Sequence, residues 1–284
     1  MSERPQSRSE ETVTAEEYVL GVDDRELARL GFQHRVWAKE AHELWREARV
    51  GPGQRILDLG AGPGFASVDL AHLVGPGGEV IALDEAQRFL DHIESLKRSG
   101  ACPANVRTMR ARAEAFECAP GSVDVVFARW LLCFSPHPAA AIGCAARALA
   151  PGGRMAIQDY THYQLHGFNV DSEVFARTIA AAAQSFALHG GDANIGWRLP
   201  ALLEEAGLRV VSLRSIVRLA RPGEALWEWP RSFWRSYAPK LVAMGLLDEA
   251  DCQAFLDLWE ERSRNPQALF MTPPMLAIVA EKPA

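Results

Sequence analysis

The chain has 284 residues, 48% of them hydrophobic, enough to bury a sizeable core in one large or two small domains. Its formal net charge of -6 excludes a surface built to neutralise many phosphates, so nucleic acid is not the expected partner. No apolar run approaches the ~20 residues of a membrane-spanning helix, and the cysteines (Cys102, Cys118, Cys133, Cys144, Cys252) are scattered without CxxC spacing. A soluble, cytoplasmic protein with no membrane contact, no disulfide framework and no zinc site is expected.

Residues 1–14 lack both the apolar core of a secretory signal and the acid-poor composition of a transit peptide, and read as a flexible tail. Residues 15–50 carry a helical pattern and are expected to form an N-terminal cap. From 51 to 160, apolar runs alternate with helical patterns. The strands are QRILDLG (54–60), GEVIALD (78–84), NVRTMRAR (105–112), SVDVVFARW (122–130) and GGRMAIQDY (152–160), with helices near 64–74, 85–98 and 138–149. Such near-continuous hydrophobicity predicts strands covered on both faces.

Residues 161–195 form a cap insert, after which the core resumes over 196–220 with helix RLPALLEEAGL (198–208) and strand LRVVSLRSIVRLA (208–220). A second insert, 221–267, carries the aromatic run LWEWPRSFWRSYAPK, and 268–284 supplies the final core strand. The fold class predicted is α/β: a seven-stranded, mostly parallel sheet with helices on both faces, plus helical cap insertions. Pro273 and Pro274 predict a bulge or break in the last strand. Pro230 argues against an uninterrupted helix in the aromatic insert.

The stretch LDLGAGPGF (57–65) places Asp58 at the end of the first strand and glycines at 60, 62 and 64, a turn in which backbone can approach a ligand closely. A dinucleotide fingerprint would need glycine where Phe65 stands, and a P-loop would need a GK[ST] run that is absent. Asp84, at the tip of the second strand, can accept both hydroxyls of a ribose. That combination suits an adenosine cofactor.

Taken together, VGPGQRILDLGAGPGF, GEVIALDEA, RARAEAF, SVDVVFARWLLCF and RALAPGGRMAIQDY resemble the ordered motifs of class I S-adenosylmethionine-dependent methyltransferases of the small-molecule type. NIGWRLPALLEEAGLRVV and the opening EYVLGVDDRELARLGFQHRVW resemble their closing unit and their N-terminal cap. The resemblance implies a Rossmann-like sheet, S-adenosyl-L-methionine as cofactor and a small-molecule substrate. It places the backbone of Gly60, Ala61 and Gly62 at the methionine part, with Asp58 ordering the loop and Asp84 on the ribose. Glu85 falls near the adenosine, Ala113 and Arg112 beside adenine, and Arg129 where the fourth strand meets the cofactor. Tyr18 and Gln33 resemble positions that reach the amino-acid end; packing for Tyr18 and solvent exposure for Gln33 are the alternatives. Arg112 departs from a position that is often acidic, which leaves the adenine amine without an acceptor unless Glu114 or a carbonyl supplies one.

The acceptor is expected at the carboxyl ends of the strands, among Trp130, His137, Asp159, Tyr160, His162 and His166. His162 is the first choice for a general base and Tyr160 the second, a hydrogen-bonding role being the alternative. His162 and His166 could share a helical face, yet no third ligand accompanies them, and no metal is expected. Trp197, Trp227, Trp229, Phe233, Trp234 and Tyr237 could wall a planar or cationic acceptor, or form a core stripe with one or two rings in the pocket. Arg231 and Arg235 could hold an anionic group or a solvated face. Two other functions stay open: a non-catalytic cofactor- or partner-binding protein, and a nicotinamide-dependent oxidoreductase, which Phe65 disfavours.

Overall fold

The computed structural model describes residues 24–284. Helices α1 (Asp24–Val36) and α2 (Ala38–Glu47) lead into β1 (Arg55–Leu59), α3 (Phe65–Val74), β2 (Glu79–Asp84), α4 (Gln87–Arg98), β3 (Val106–Arg110), β4 (Val123–Arg129), α5 (Pro138–Ala148) and β5 (Leu149–Tyr160). Then follow β6 (Gly167–Phe168), α6 (Glu173–Leu188), α7 (Leu199–Glu205), β7 (Arg209–Ile216), β8 (Leu219–Ala220), α8 (Ala225–Ala243), α9 (Glu249–Ser263), β9 (Phe270–Met271) and β10 (Met275–Glu281). Among the described residues no helix is long and apolar enough to cross a membrane.

Seven strands form one sheet in the order β3-β2-β1-β4-β5-β10-β7. The first five are parallel, and β10 runs antiparallel between β5 and β7, with Ile278 opposite both Ile157 and Leu213. Ile56, Leu57, Leu59, Val80, Ala82, Val125 and Val126 are buried on both faces of the central strands, which is why these runs show no polar alternation. Helix α2 turns Ala41, Leu44 and Trp45 inward and lies over β5 and β10. From β5, Arg154 Nη1 donates to the Glu47 carbonyl at 2.8 Å and Gln158 Nε2 to the Glu40 carbonyl at 2.9 Å, binding helix to sheet. Helices α5 and α7 pack on β5 and β7. The chain leaves β1 for β2 on one side and reaches β4 on the other, so a crevice opens at the carboxyl ends of β1 and β4.

The two long C-terminal runs of the sequence both split. Pro273 and Pro274 break the last one: β9 ends at Met271 and β10 starts at Met275. The 208–220 run divides into β7 and β8, and β8 joins a small antiparallel sheet, β6-β9-β8, with Phe270 opposite Phe168 and Ala220. This sheet ties the segments that interrupt the core into one cap. Its interior is aromatic: Phe168, Phe175, Trp227, Phe255, Trp259 and Phe270 meet ring to ring at 4.6–6.4 Å. Trp227 and Tyr237 therefore belong to this core, the latter sharing a 2.6 Å hydrogen bond with Ser185.

Contrary to the expectation from Pro230, α8 is continuous through both Pro230 and Pro239. An interior proline costs about 3 kcal/mol. Burial of Leu226, Trp227, Trp229, Trp234 and Leu241 along the same helix offsets it, at roughly 1.5–3 kcal/mol per large apolar side chain. Tertiary packing overrides the local signal.

Candidate active site

A cavity of about 1080 Å³ opens at the crevice, bounded by the sheet on one side and by α1, α6 and α8 on the other. Its cofactor end is a backbone structure. Gly60, Gly62 and Gly64 all have positive φ (72°, 53° and 83°). A Cβ at Gly60 would lie 2.7 Å from Leu131 and one at Gly64 2.5 Å from Ile93, whereas at Gly62 nothing lies within 4 Å. Packing requires the first and third glycines, and Gly62 leaves its side of the cavity open. Phe65 then opens α3 and packs on the N-terminal cap, its ring 6.1 Å from that of His34 and 3.0 Å from where a Gly31 Cβ would stand.

Asp58 lies buried beneath this loop and accepts from Ser67 Oγ at 2.5 Å, joining β1 to α3. Burial pushes its carboxyl up to about 6, against the hydrogen bond from Ser67 and the charge of Arg129. Asp84 accepts from the Gly62 amide at 2.8 Å and the Ala86 amide at 2.9 Å, one on each oxygen. Each oxygen keeps a lone pair, so the carboxylate can also accept two hydroxyls of a ribose. Glu85, Ala111, Arg112, Ala113 and Glu114 line the wall beyond. Arg112 Nε donates to Glu114 Oε1 at 2.7 Å, which holds the carboxylate beside the position where the sequence left adenine without an acceptor.

Where β4 ends, Arg129 sits between this half and the next. Nη2 lies 3.0 Å from His34 Nδ1, and Nη1 is buried without a partner among the described residues. Burial pulls its pKa down to about 10 while Asp58, Asp69 and Glu40 hold it up, so it remains a cation. An open cradle at Gly62, a carboxylate at the tip of β2 and an unpaired buried guanidinium donor fit a ligand with an adenosine end and a carboxylate end.

The acceptor end is built from side chains of distant segments. Trp130 is stacked with Tyr160 (6.1 Å, 28°) and with Trp229 (6.1 Å, 17°), and Trp37 meets both tryptophans edge-on. Trp130 adopts φ 50°, a left-handed conformation that costs a bulky residue roughly 1–2 kcal/mol. It is held there by its amide on the Gln158 carbonyl (2.9 Å) and its indole N–H on Met275 Sδ (3.1 Å). Asp159 fixes the following turn by accepting the amides of Leu132, Cys133 and Tyr160. That candidate is fully enclosed by backbone donors and does not line the cavity.

Gln33 Oε1 accepts from Trp229 Nε1 at 2.9 Å and Arg29 Nη1 at 3.0 Å, so this residue joins cap to insert at the cavity wall. Arg29 is clamped by Glu26 through two hydrogen bonds. Phe233, Trp234, Tyr163 and His166 complete the wall. His166 Nδ1 donates to the Tyr163 carbonyl, leaving Nε2 as an acceptor that has no partner among the described residues. Burial pulls its pKa down to about 4, so the ring is neutral.

His162 and Trp197 are not part of this cavity. His162 is exposed and its ring meets the exposed Trp197 edge-on at 4.9 Å on the outer surface. The reason is the turn that follows: Tyr163–Leu165 is a 3₁₀ helix, whose repeat of three brings Tyr163 and His166 to one side and leaves His162 on another. The four-residue spacing that suggested a shared face applies only to an α-helix. His137 also stays outside the cavity, at the N-cap of α5. Arg231 is engaged by Glu228 and Glu260 at 2.7–3.2 Å and does not line the cavity. Tyr18 lies outside the described residues. Sequence reasoning missed His34, Arg29, Trp37 and Tyr163. Arg29, His34 and Trp37 carried a signal, being polar and aromatic residues on the helical cap already expected to reach the cofactor.

Residues 51–199 match the family model described as a methyltransferase domain. Methyltransferase str3 of Strobilurus tenacellus is 25% identical over 256 residues, covering 89% of this chain and 83% of that protein. Demethylmenaquinone methyltransferase of Lactococcus lactis subsp. lactis is 32% identical over 143 residues, covering 49% of this chain and 56% of that protein. Among solved structures, a protein from Bacillus halodurans shares the fold with a TM-score of 0.61 at 16% identity, covering 86% of this chain and 98% of that one. With the family spanning more than half of its length and the cavity fitting an adenosine cofactor, the chain belongs to the methyltransferase domain family and is an S-adenosylmethionine-dependent enzyme.

Proposed function

We propose that this methyltransferase acts on an uncharged, planar small molecule, aligned for in-line displacement. The observation that carries this reading is the stack of Tyr160, Trp130 and Trp229 at the junction with the cofactor end. Flat apolar faces favour a flat apolar ring by burial and offset stacking. Carboxylates among the cavity residues, Asp58, Asp84, Glu85 and Glu114, all belong to the cofactor end. Among the described cavity residues an ammonium acceptor would find no counter-charge beside the stack, and it would face Arg129, whose guanidinium carbon is 5.0 Å from the Trp130 ring. The Lactococcus lactis relative is named for demethylmenaquinone, whose quinone ring is flat and uncharged, which supports the same class.

When bound, the cofactor supplies a methyl carbon made electrophilic by its sulfonium, so the chain's own task is alignment and exclusion of water. Trp130 and Trp229 fix the plane of the acceptor. His166 Nε2 accepts a hydrogen bond from an acceptor hydroxyl. The S–CH3 bond breaks as the O–CH3 bond forms, and the hydroxyl proton, acidified as the methyl arrives, passes to His166 Nε2, which burial keeps neutral and available as an acceptor. Burial drives the Tyr160 hydroxyl well above its ordinary value, so it donates a hydrogen bond rather than serving as a base.

Labelled S-adenosylmethionine with a panel of phenols, hydroxyquinones, amines and carboxylic acids tests the proposal. Transfer to the phenols or hydroxyquinones is expected, with kcat/KM at least about tenfold above the other classes. Transfer confined to amines or carboxylic acids, or to none of the panel, overturns it.

A further inference from the structure

Arg129 has only N–H donors. Since its Nη2 lies 3.0 Å from His34 Nδ1, that ring nitrogen must be the unprotonated acceptor, and the ring proton must reside on Nε2. Nε2 in turn donates to Asp69 Oδ2 at 2.9 Å. Charge and tautomer of a histidine on α1 are therefore set from both sides, by a cation at the end of β4 and a carboxylate on α3. The neighbouring carboxylate, Asp58, is hydrogen-bonded to Ser67, and Arg129 Nη1 has no partner among the described residues.

We propose that His34 is a positioning residue for cofactor binding: it holds Arg129 by Nη2 so that Nη1 is left to bind the α-carboxylate of S-adenosylmethionine. This rests on the cofactor assignment above. Asp84 and the Gly62 cradle define the adenosine end, and Arg129 lines the same cavity close to Asp58, so its buried Nη1 is a cationic donor available to a carboxylate. A charge-assisted contact of this kind depends on the guanidinium being fixed in advance.

Protonation of His34 would set N–H against N–H and cation beside cation. The groups facing the ring are Asp69 from α3, Arg129 from β4 and, through Asp69, His42 from α2 at 3.5 Å, with Phe65 stacked on it. Burial lowers its pKa from the ordinary value, against the pull of Asp69, so the contact is intact at neutral pH and is lost as pH falls into the acid range.

Calorimetric affinities for two ligands decide the matter: S-adenosylhomocysteine, which keeps the carboxylate, and 5′-methylthioadenosine, which lacks the amino-acid part. His34→Ala should weaken S-adenosylhomocysteine about tenfold near pH 7.5, with methylthioadenosine within about twofold. His34→Gln can accept from Arg129 and donate to Asp69 but does not titrate. It should keep S-adenosylhomocysteine affinity within about threefold and show a shallower loss than the wild type as pH falls into the acid range, below the ordinary imidazole value. Equal loss of both ligands in His34→Ala, no loss of either, or a His34→Gln profile as steep as the wild type's overturns the proposal. Failure of the wild type to bind either ligand overturns the cofactor assignment instead.

Discussion

The two ends of the cavity are built on different principles. At the cofactor end, main chain does the work: three glycines, the Gly62 and Ala86 amides and the strand-tip carboxylate of Asp84 come from residues 58–86, close in sequence and held by the sheet. At the acceptor end, Trp37, Trp130, Tyr160 and Trp229 converge from four separate segments of the chain, and the wall exists only because the cap packs on the sheet. Backbone geometry shapes one end around a few fixed side chains, chiefly Asp84 and Arg129. Side-chain walls can change the other reactant while leaving that grip intact.

Substitutions that separate the two ends sharpen this contrast. The largest effect is expected for Asp84→Asn, which removes charge-assisted bonds to the ribose and loosens the Gly62 and Ala86 amides. Affinity for S-adenosylhomocysteine should fall about a hundredfold in calorimetry, roughly 2.7 kcal/mol. A loss below about threefold would remove Asp84 from its assigned role.

Trp130→Ala should act on the other end alone. The acceptor KM should rise about tenfold, with S-adenosylhomocysteine affinity changed less than about threefold. Because Trp130 has φ 50°, Trp130→Gly should be the more stable of the two variants by about 1 kcal/mol in urea titration, where alanine retains the strain that glycine relieves. Equal stability would show that the left-handed conformation is not kept in the variants.

The smallest effect belongs to His162→Ala and Trp197→Ala, which should leave kcat and both affinities within about twofold, since neither residue lines the cavity. A loss above about tenfold in kcat for His162→Ala would restore that histidine to the chemistry.

Much of the scaffold was legible because its signals are local. The central parallel strands β1, β2 and β4 are largely apolar runs that end in turns, and Pro273 and Pro274 mark the break between β9 and β10. Asp58, the glycines and Asp84 were legible for the same reason: a tight turn after a strand needs those residue types at those spacings. The acceptor end was less so. Trp227, Trp229 and Trp234 lie in one continuous segment, yet Trp227 is in the cap core, Trp229 stacks on Trp130 and Trp234 packs against His166. Period alone does not distinguish a ring facing a core from a ring facing a cavity.

By itself, then, the amino-acid order determined the alternation of strands and helices, the turn after β1 and the carboxylate at the end of β2, because these follow from burial, backbone freedom and chain proximity. Tertiary structure alone decided that His34 meets Arg129, that Gln33 joins Trp229, and that His166 rather than His162 turns toward the cavity. Those pairings depend on how elements whose residues are separated by 95 and 196 positions come to rest on one another, and on a 3₁₀ turn where an α-helical repeat was the simpler expectation.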